Sequence, residues 1–388
     1  MSVNRKAAAL LLVTVGLCQP GGGQAAATPL TWEQRDGYDV ARLSVPATGR
    51  TGFTLLTPRQ TGVLFTNQIS YERSSTNRVL LEGGGVSAGD FDGDGLVDLY
   101  FCHVDGCNAL FRNLGGFGFR NVTVETGVGC THQASRGAAF ADLNGDGALD
   151  LMVTSRGGPN ACFLNDGRGH FRDVTRDAGL VLTDFGCTSL ALADMDGDGS
   201  LDPYVVNNHI YEGPDGETAV AYRIVNGQPR ITGRAARSRQ IVDGLVIKLG
   251  ATDTYYRNNA GARFTPGSWT DGTFLTEDGQ PLSQAPRGLG LTAAFRDLNG
   301  DGAPDLYVCN DLHTPDRIWI NDGQGHFHPL PDLAIRTSCL NSMTVDFADL
   351  DRDGFDDVFV ADMLSRFHRL RMTHCGTHSN PSARAGVR

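Results

Sequence analysis

The stretch GGGVSAGDFDGDGLVDLY, residues 83–100, combines two patterns that point to different chemistry. Residues 85–89 read GxSxG, the pattern of a hydrolase nucleophile elbow. Residues 90–98 read D-x-D-x-D-G-x-x-D, a spacing of aspartates that offers oxygen ligands to a metal ion. Recurrence of either pattern elsewhere in the chain decides between the two interpretations, because a repeat fixes the structural context of the motifs inside it.

The aspartate pattern recurs four more times. The five copies are DFDGDGLVD from Asp90 (loop 1), DLNGDGALD from Asp142 (loop 2), DMDGDGSLD from Asp194 (loop 3), DLNGDGAPD from Asp297 (loop 4) and DLDRDGFDD from Asp349 (loop 5). Their first residues lie 52, 52, 103 and 52 apart, so one interval is doubled and the other three are equal. The chain is therefore built on a repeat of roughly 50 residues.

The flanks of each loop predict strands. Small or alternating apolar residues precede each copy, and short runs such as LYF, LMV and VFV follow it, which is typical of buried strands. Asn-Asp-Gly sequences at Asn165 and Asn321, and the corresponding segments near Asn113 and Asn258, predict hairpin turns, because Asn and Gly tolerate the positive φ that such turns need. Each period is predicted to be strand, aspartate loop, strand, turn and further strand.

Ser87 of the GxSxG pattern is not predicted to be a nucleophile. The equivalent positions in the other copies are Ala139, Ala191, Ala294 and Asp346. A nucleophile elbow needs a sharp strand-to-helix turn, whereas a second strand is predicted after this loop. No HExxH or CxxC pair occurs either, so no catalytic residue is assigned and the chain is predicted not to be an enzyme.

The loops predict up to five calcium sites. Residues one, three, five and nine supply oxygen ligands, which suit the hard Ca²⁺ ion, and the glycine at position six lets the chain wrap tightly. Position twelve is apolar in all five copies, which excludes the EF-hand with its bidentate glutamate there. The predicted ligands are Asp90, Asp92, Asp94 and Asp98; Asp142, Asn144, Asp146 and Asp150; Asp194, Asp196, Asp198 and Asp202; Asp297, Asn299, Asp301 and Asp305; and Asp349, Asp351, Asp353 and Asp357.

These loops and their flanks resemble FG-GAP or VCBS repeats, the calcium-bearing blades of the integrin α-chain β-propeller. The order of elements, from GGGVSAGDFDGDGLVDLYF to FVADMLSR, is similar to that of the cartilage-acidic-protein-like ASPIC/UnbV group. The resemblance covers residues from about 62 to 366. It implies a secreted propeller in which calcium is structural and which mediates adhesion or recognition of a protein or glycan ligand.

The predicted fold is all-β: a β-propeller of about six or seven four-stranded blades, incomplete at its C-terminal end. The predicted domains are a signal peptide at 1–27, an N-terminal segment at 28–60, the propeller at 61–366 and a tail at 367–388. The third unit carries about 41 extra residues, an insertion at 208–253 that is rich in arginine. A decorative hairpin is the favoured interpretation of this insertion, and an anion- or partner-binding arm is the alternative.

The N-terminus predicts export. Arg5 and Lys6 precede an apolar run at 7–17, and Ala25-Ala26-Ala27 forms a small-residue cleavage site. The apolar run is too short to span a bilayer, and no later stretch is long and apolar enough, so no transmembrane segment is predicted after signal removal. The expected location is secreted, extracellular, periplasmic or cell-surface. An even number of cysteines, eight, would remain after signal removal, and Cys102 with Cys107, across one predicted hairpin, is one candidate disulfide.

The formal net charge of −11 makes the chain a poor nucleic-acid binder, so no nucleic acid is predicted as a partner. Much of this acidity lies in the five loops, so bound calcium would offset most of it. Three classes of function are left: an adhesion or recognition propeller, a propeller-based glycan lyase or hydrolase whose catalytic residues come from scattered loops, and a structural or secretion module of a longer protein.

Overall fold

The computed structural model of the chain describes residues 32–34, 39–41, 53–76, 80–81, 83–180, 185–210, 220–242, 244–312, 314–331, 334, 339, 341–350 and 352–363. The predicted signal peptide at 1–27, the tail at 367–388 and Asp351 lie outside these residues. The chain divides into two units, 1–55 and 56–388. In the first unit, β1 (Trp32–Gln34) and β2 (Asp39–Ala41) form an antiparallel hairpin.

The second unit contains four antiparallel sheets of four strands each, and each sheet follows the chain order. Sheet 1 is β3 (Val86–Gly89), β4 (Asp98–Phe101), β5 (Ala109–Asn113) and β6 (Phe119–Asn121); sheet 2 is β7 (Ser135–Ala141), β8 (Asp150–Ser155), β9 (Ala161–Asn165) and β10 (Phe171–Asp173). Sheet 3 is β11 (Phe185–Ala193), β12 (Asp202–Ile210), β17 (Thr254–Asn258) and β18 (Phe264–Pro266); sheet 4 is β19 (Gly290–Arg296), β20 (Asp305–Asn310), β21 (Arg317–Asn321) and β22 (Phe327–Pro329).

Additional strands accompany these four sheets. The chain between β12 and β17 forms two hairpins: β13 (Ala221–Val225) with β14 (Gln228–Thr232), and β15 (Arg239–Val242) with β16 (Leu245–Lys248). Exposed Arg223 and Arg230 lie directly opposite each other in the first hairpin. After sheet 4, β23 (Ser342–Ala348) pairs with β24 (Asp357–Asp362) around loop 5.

Within the described residues, helical structure occurs in short turns. These include α1 (Pro58–Thr61), α2 (Tyr71–Thr76), α3 (Thr123–Thr126) and a 3-10 turn at Arg234–Arg237. Residue Gly127, in the left-handed region at φ 73°, ends α3 directly after one turn. These turns are not predictable from the sequence, because four to six residues are too few to show a helical period.

The sheets pack face to face in chain order. The first strand of each sheet contacts the first strand of the next, through β3, β7, β11, β19 and β23. Apolar side chains fill each space between successive sheets: Tyr100 and Phe163 between sheets 1 and 2, for example, and Tyr204 and Trp319 between sheets 3 and 4. Burying one such large side chain stabilises the fold by roughly 1.5–3 kcal/mol, so these spaces carry most of the hydrophobic stabilisation.

Residues 267–289 add to the core between sheets 3 and 4. Trp269 and Phe274 lie with ring centroids 4.3 Å apart, and Phe274 stacks on Phe327 at 5.0 Å. The indole N–H of Trp269 donates to the carbonyl oxygen of Asp253 at 2.9 Å.

The prediction of an all-β, propeller-type fold made of four-stranded blades is confirmed. Four-stranded antiparallel sheets that stack on one another through their first strands are the arrangement of a propeller. Four blades are complete within the described residues, and β23 and β24 supply two strands of a fifth. The total of six or seven blades stays a prediction.

Candidate metal centres

Each aspartate loop joins the first strand of a sheet to its second strand. The ninth residue of each loop begins the second strand: Asp98 begins β4, Asp150 begins β8, Asp202 begins β12, Asp305 begins β20 and Asp357 begins β24. The five loops therefore occupy equivalent places in successive sheets.

The first aspartate of each loop closes a tight wrap of backbone. In loop 1, Asp90 Oδ1 accepts the N–H of Asp94 at 3.1 Å, and Asp90 Oδ2 accepts the N–H of Gly95 at 2.8 Å. Loops 2 to 5 repeat both bonds. The sixth-position glycines have φ between 84° and 93°, in the left-handed region, so the expectation that glycine permits the wrap agrees with the backbone geometry.

The ninth aspartate joins the loop to the third strand of its own sheet. Asp98 Oδ2 accepts the N–H of Phe91 at 3.0 Å, and its Oδ1 accepts the N–H of Asn113 at 2.7 Å. The same pair of bonds recurs at Asp150, Asp202 and Asp305. All four carboxylates are buried. Burial raises the pKa of Asp98, Asp150 and Asp202 to about 6, and it also raises the pKa of Asp305.

Loops 1 and 3 each bring three carboxylates together. Oxygens of Asp90, Asp92 and Asp98 lie within 4.8 Å of one another, and the same holds for those of loop 3, Asp194, Asp196 and Asp202. The Asp92 side chain is only 9% exposed, and its Oδ1 is buried without a hydrogen-bond partner. Asp196 Oδ1 is likewise buried and unpartnered. Because an unpaired buried carboxylate oxygen is costly, this donor set fits a hard divalent cation such as calcium.

Loops 2 and 4 carry asparagine at position three and are arranged differently. Asn144 Nδ2 donates to Asp146 Oδ2 at 2.8 Å, and Asn299 Nδ2 donates to Asp301 Oδ2 at 2.8 Å. The amide thus gives the fifth-position carboxylate a neutral donor. Among the described residues, compact groups of three carboxylates occur only in loops 1 and 3.

Two arginines that the sequence analysis did not identify contact loops 1 and 3. Arg112 lies 2.5 Å from Asp92 Oδ2 through Nε and 3.0 Å from Asp94 Oδ2 through an η nitrogen. Arg257 lies 2.5 Å from Asp196 Oδ2. Each arginine stands one residue before the turn asparagine of its sheet, Asn113 or Asn258, so a comparison of the aligned repeats would have shown it.

The prediction that the turn asparagines adopt positive φ is wrong. None of Asn113, Asn165, Asn258 and Asn321 is among the residues with positive φ; in the turns of Asn165 and Asn321, the left-handed positions belong to the glycines that follow. The side chains of Asn165, Asn258 and Asn321 instead join neighbouring sheets. Three Nδ2 groups donate to the second residue of the preceding loop: Asn165 to Phe91 O at 2.6 Å, Asn258 to Leu143 O at 2.9 Å and Asn321 to Met195 O at 3.0 Å.

If these loops bind calcium, the ninth aspartates make the binding depend on pH. A raised carboxyl pKa means that, without calcium, the folded chain binds more protons between about pH 4 and pH 6 than the unfolded chain does. We expect these groups to make the calcium-free protein more stable as pH falls through 6 toward 4. Calcium needs the ionised carboxylates, so the calcium-induced rise in melting temperature should shrink between pH 7 and pH 5. Melts in calcium and in chelator across that range measure the difference; a constant difference would contradict the expectation.

Loop 5 has a strained fourth position. Arg352 stands where the other loops have glycine and adopts φ 67° in the left-handed region. We expect Arg352→Gly to raise the free energy of unfolding by about 1 kcal/mol, because glycine adopts this conformation without a Cβ clash. Urea unfolding measures the change; an equal or lower stability would show that the arginine side chain compensates for the strain.

Other residues singled out in the sequence have structural surroundings. Ser87 lies in β3, where its Oγ accepts the N–H of Phe140 at 3.1 Å in the next sheet. His170 and His326 bond to aspartates of their own turns at 2.8 and 2.9 Å. Cys102 and Cys107 are separate free thiols, with Cys102 buried and Cys107 exposed, so the disulfide considered between them is not formed in this structure.

A known repeat family matches the chain at three of these loops. The FG-GAP-like repeat family matches at residues 90–153, 142–205 and 297–360, and each match begins at the first aspartate of a loop. This chain carries FG-GAP-like repeats. The predicted resemblance is thereby confirmed. Most of the extra residues that double one repeat interval lie between β12 and β17 of sheet 3.

Curated relatives support the same grouping. The FG-GAP chain is 31% identical over 135 residues to cartilage acidic protein 1 of Xenopus tropicalis, which covers 34% of this chain and 20% of the relative. It is 31% identical over 128 residues to the protein of the same name from Mus musculus and 35% identical over 95 residues to that from Homo sapiens. The matched part thus spans only a fifth or less of these relatives.

Two solved structures overlap with the fold at low similarity. One is an Agrocybe aegerita lectin described for its recognition of non-reducing terminal N-acetylglucosamine, at 19% identity and a TM-score of 0.32 over 70% of this chain and 73% of the lectin. The other is the V. cholerae biofilm matrix protein Bap1, at 19% identity and a TM-score of 0.29 over 68% of this chain and 40% of Bap1. Neither score is high enough to decide a ligand. Within the described residues, no helix has the length and apolarity needed to cross a bilayer.

Proposed function

We propose that this FG-GAP protein is an exported calcium-binding propeller that recognises a protein or glycan ligand and uses calcium to hold its loops in place. The observation that carries the calcium assignment is the buried, unpartnered oxygen in each of loops 1 and 3, Asp92 Oδ1 and Asp196 Oδ1, within a group of three carboxylates. Carboxylate oxygens at this density favour a divalent cation and repel one another without it.

The ligand positions of a loop have different roles. The first and ninth aspartates already bond to backbone N–H groups, so they set the path of the loop. The third and fifth positions complete the oxygen set. Calcium would neutralise the clustered charge and join these positions. Loops 1 and 3 are the best-supported sites, and loops 2, 4 and 5 are proposed on the shared pattern.

A structural role for calcium is tested by thermal unfolding. If free calcium is about tenfold above Kd, each site adds roughly 1.4 kcal/mol of stability. We expect the melting temperature to fall by several degrees in chelator and to return when calcium, but not the same concentration of magnesium, is restored. An unchanged melt in chelator would contradict the structural role.

A cleft beside sheet 4 is the proposed ligand site. It has a volume of about 590 Å³, within the range of small-ligand pockets, and its lining includes Arg287, Arg317, Trp319 and Leu330. Arg317 is fixed by a hydrogen bond to the carbonyl oxygen of Arg287 at 2.5 Å. Aromatic and apolar walls with guanidinium groups suit a sugar or peptide that carries acceptor or acidic groups.

Glycan and protein arrays probed in calcium and in chelator test the recognition role. Arg287 is exposed, so Arg287→Ala should leave the melting temperature unchanged while reducing any binding that uses the cleft. The matched control is Arg230→Ala, an exposed arginine on the β13–β14 hairpin. Binding that is lost in Arg230→Ala but kept in Arg287→Ala would show that the ligand binds the insertion and not the cleft.

An enzymatic role is the second candidate. Sites drawn from separate propeller loops converge only in three dimensions, so a glycan lyase or hydrolase stays compatible with this fold. Turnover of array-positive glycans by the purified protein would favour it over simple recognition. A structural or secretion module of a longer protein is the third candidate, and absence of any array signal together with calcium-dependent melting would favour it.

A further inference from the structure

We infer that Arg112 and Arg257 are built-in counter-ions that bring loops 1 and 3 to the same net charge as loops 2 and 4, and thereby limit their calcium affinity. This inference rests on the proposed calcium role. It concerns which residues of the chain set the strength of that binding.

The pairing of residue types within the repeats is the first observation. The two described loops with aspartate at position three, Asp92 and Asp196, each face an arginine one residue before the turn asparagine. The two loops with asparagine at position three, Asn144 and Asn299, have an apolar residue at the corresponding place. That residue is Leu164 in β9 and Ile320 in β21.

The charges balance as a result. Loop 1 has four aspartates, and the guanidinium of Arg112 reduces its charge from −4 to −3. Loop 2 has three aspartates and a neutral asparagine, which also gives −3. Loops 3 and 4 repeat this equality with Arg257 and Ile320. All four sites would therefore present the same charge to a cation.

The contacts in loops 1 and 2 show the same substitution at atomic detail. In loop 2 the fifth-position Asp146 Oδ2 accepts a hydrogen bond from the Asn144 amide at 2.8 Å. In loop 1 the equivalent Asp94 Oδ2 accepts a hydrogen bond from Arg112 at 3.0 Å. The arginine thus supplies from the third strand the donor that asparagine supplies from within the loop.

A counter-ion beside the carboxylates must weaken their attraction for calcium, because the added positive charge repels the ion. It must also stabilise the calcium-free loop, where the carboxylates otherwise repel one another. The arginines therefore lower the calcium affinity of their loops and raise the stability of the calcium-free chain. Arg112→Leu or Arg257→Leu would reverse both effects.

The test follows the amide of Gly199 by NMR in ¹⁵N-labelled full-length chain during titration with CaCl₂, so that loop 3 is observed alone. Arg257→Leu, matched to Leu164, should bind calcium roughly three- to tenfold more tightly and should melt at a lower temperature in chelator. Asp196→Asn should bind more weakly by a similar factor. The double variant Asp196→Asn/Arg257→Leu, which reproduces the pairing of loop 2, should return close to the wild-type half-saturation.

Each outcome is decisive. If Arg257→Leu binds calcium with equal or lower affinity, the arginine positions Asp196 for the ion and the counter-ion role is wrong. If the double variant stays as weak as Asp196→Asn, the charge balance is wrong. If the Gly199 amide of the wild-type chain does not shift at millimolar calcium, the proposed calcium role itself fails. The same design applies to loop 1 through Arg112→Leu and the Gly95 amide.

Discussion

Replacing Asp202 by alanine is expected to lower the free energy of unfolding by about 3 kcal/mol even in chelator. The carboxylate is buried and accepts the backbone N–H groups of Met195 at 3.1 Å and Asn258 at 2.7 Å. Alanine would leave two buried donors unpaired, and each costs about 1–3 kcal/mol. Urea unfolding of both proteins in chelator, and again in calcium, measures the loss.

Asp198→Ala is the matched control for this prediction. Asp198 is exposed, and its carboxylate accepts the N–H of Ser200 at 2.7 Å within the loop. This variant should be close to wild type in chelator and should lose stability only in calcium. Equal losses for Asp198→Ala and Asp202→Ala in chelator would contradict the division between a residue that shapes the loop and a residue that serves the ion.

The second large effect is expected at the contact between sheets 2 and 3. Asn258 is 2% exposed, and its Nδ2 donates to Leu143 O at 2.9 Å and to Leu201 O at 3.2 Å. Asn258→Ala should lower the free energy of unfolding by about 2–3 kcal/mol, because it removes both bonds and leaves a cavity. The loss is again measured by urea unfolding.

Asn113 provides the comparison for Asn258. It occupies the same turn position in sheet 1, is partly exposed, and donates to Val97 O of its own loop at 2.8 Å. Asn113→Ala should therefore cost about 1 kcal/mol. If the two variants lose the same stability, the bond between sheets contributes nothing beyond the shape of the turn.

The sequence predicts the strands and loops well because the repeat imposes five aligned observations on each position. The strand order of sheets 1, 2 and 4 follows from this alignment, and so does the start of each second strand at the ninth aspartate. Sheet 3 departs from simple chain order only through the two hairpins between β12 and β17. The doubled repeat interval already indicated extra residues there.

The contacts between sheets could not be predicted from a single repeat. A hydrogen bond from Asn165 to Phe91 O joins residues 74 positions apart, and nothing in the local pattern around either residue indicates it. The tolerance of Asn for positive φ was a sufficient local explanation for an asparagine in a turn. Only the stacking of one sheet on the next shows that the Asn165 side chain bonds to the preceding loop.

A buried polar network at the other end of the second strands was also missed. Tyr204 donates to Asp253 Oδ2 at 2.8 Å, and Tyr307 donates to Asp316 Oδ2 at 2.9 Å. The second oxygen of each aspartate accepts the backbone N–H of Asn207 or Asn310. Burial raises the pKa of Asp253 to about 6. The aspartates lie at different distances from their loops in sequence, so the repeat alignment hides their equivalence.

Calcium binding by loops 1 and 3 can be observed directly. Anomalous diffraction from crystals of the chain grown in calcium, measured at a long wavelength, locates each bound ion. We predict peaks among the carboxylates of Asp90, Asp92 and Asp98 and among those of Asp194, Asp196 and Asp202. Crystals in millimolar calcium that show no peak at either group, with Arg112 and Arg257 still in contact with their aspartates, would contradict calcium binding by these loops.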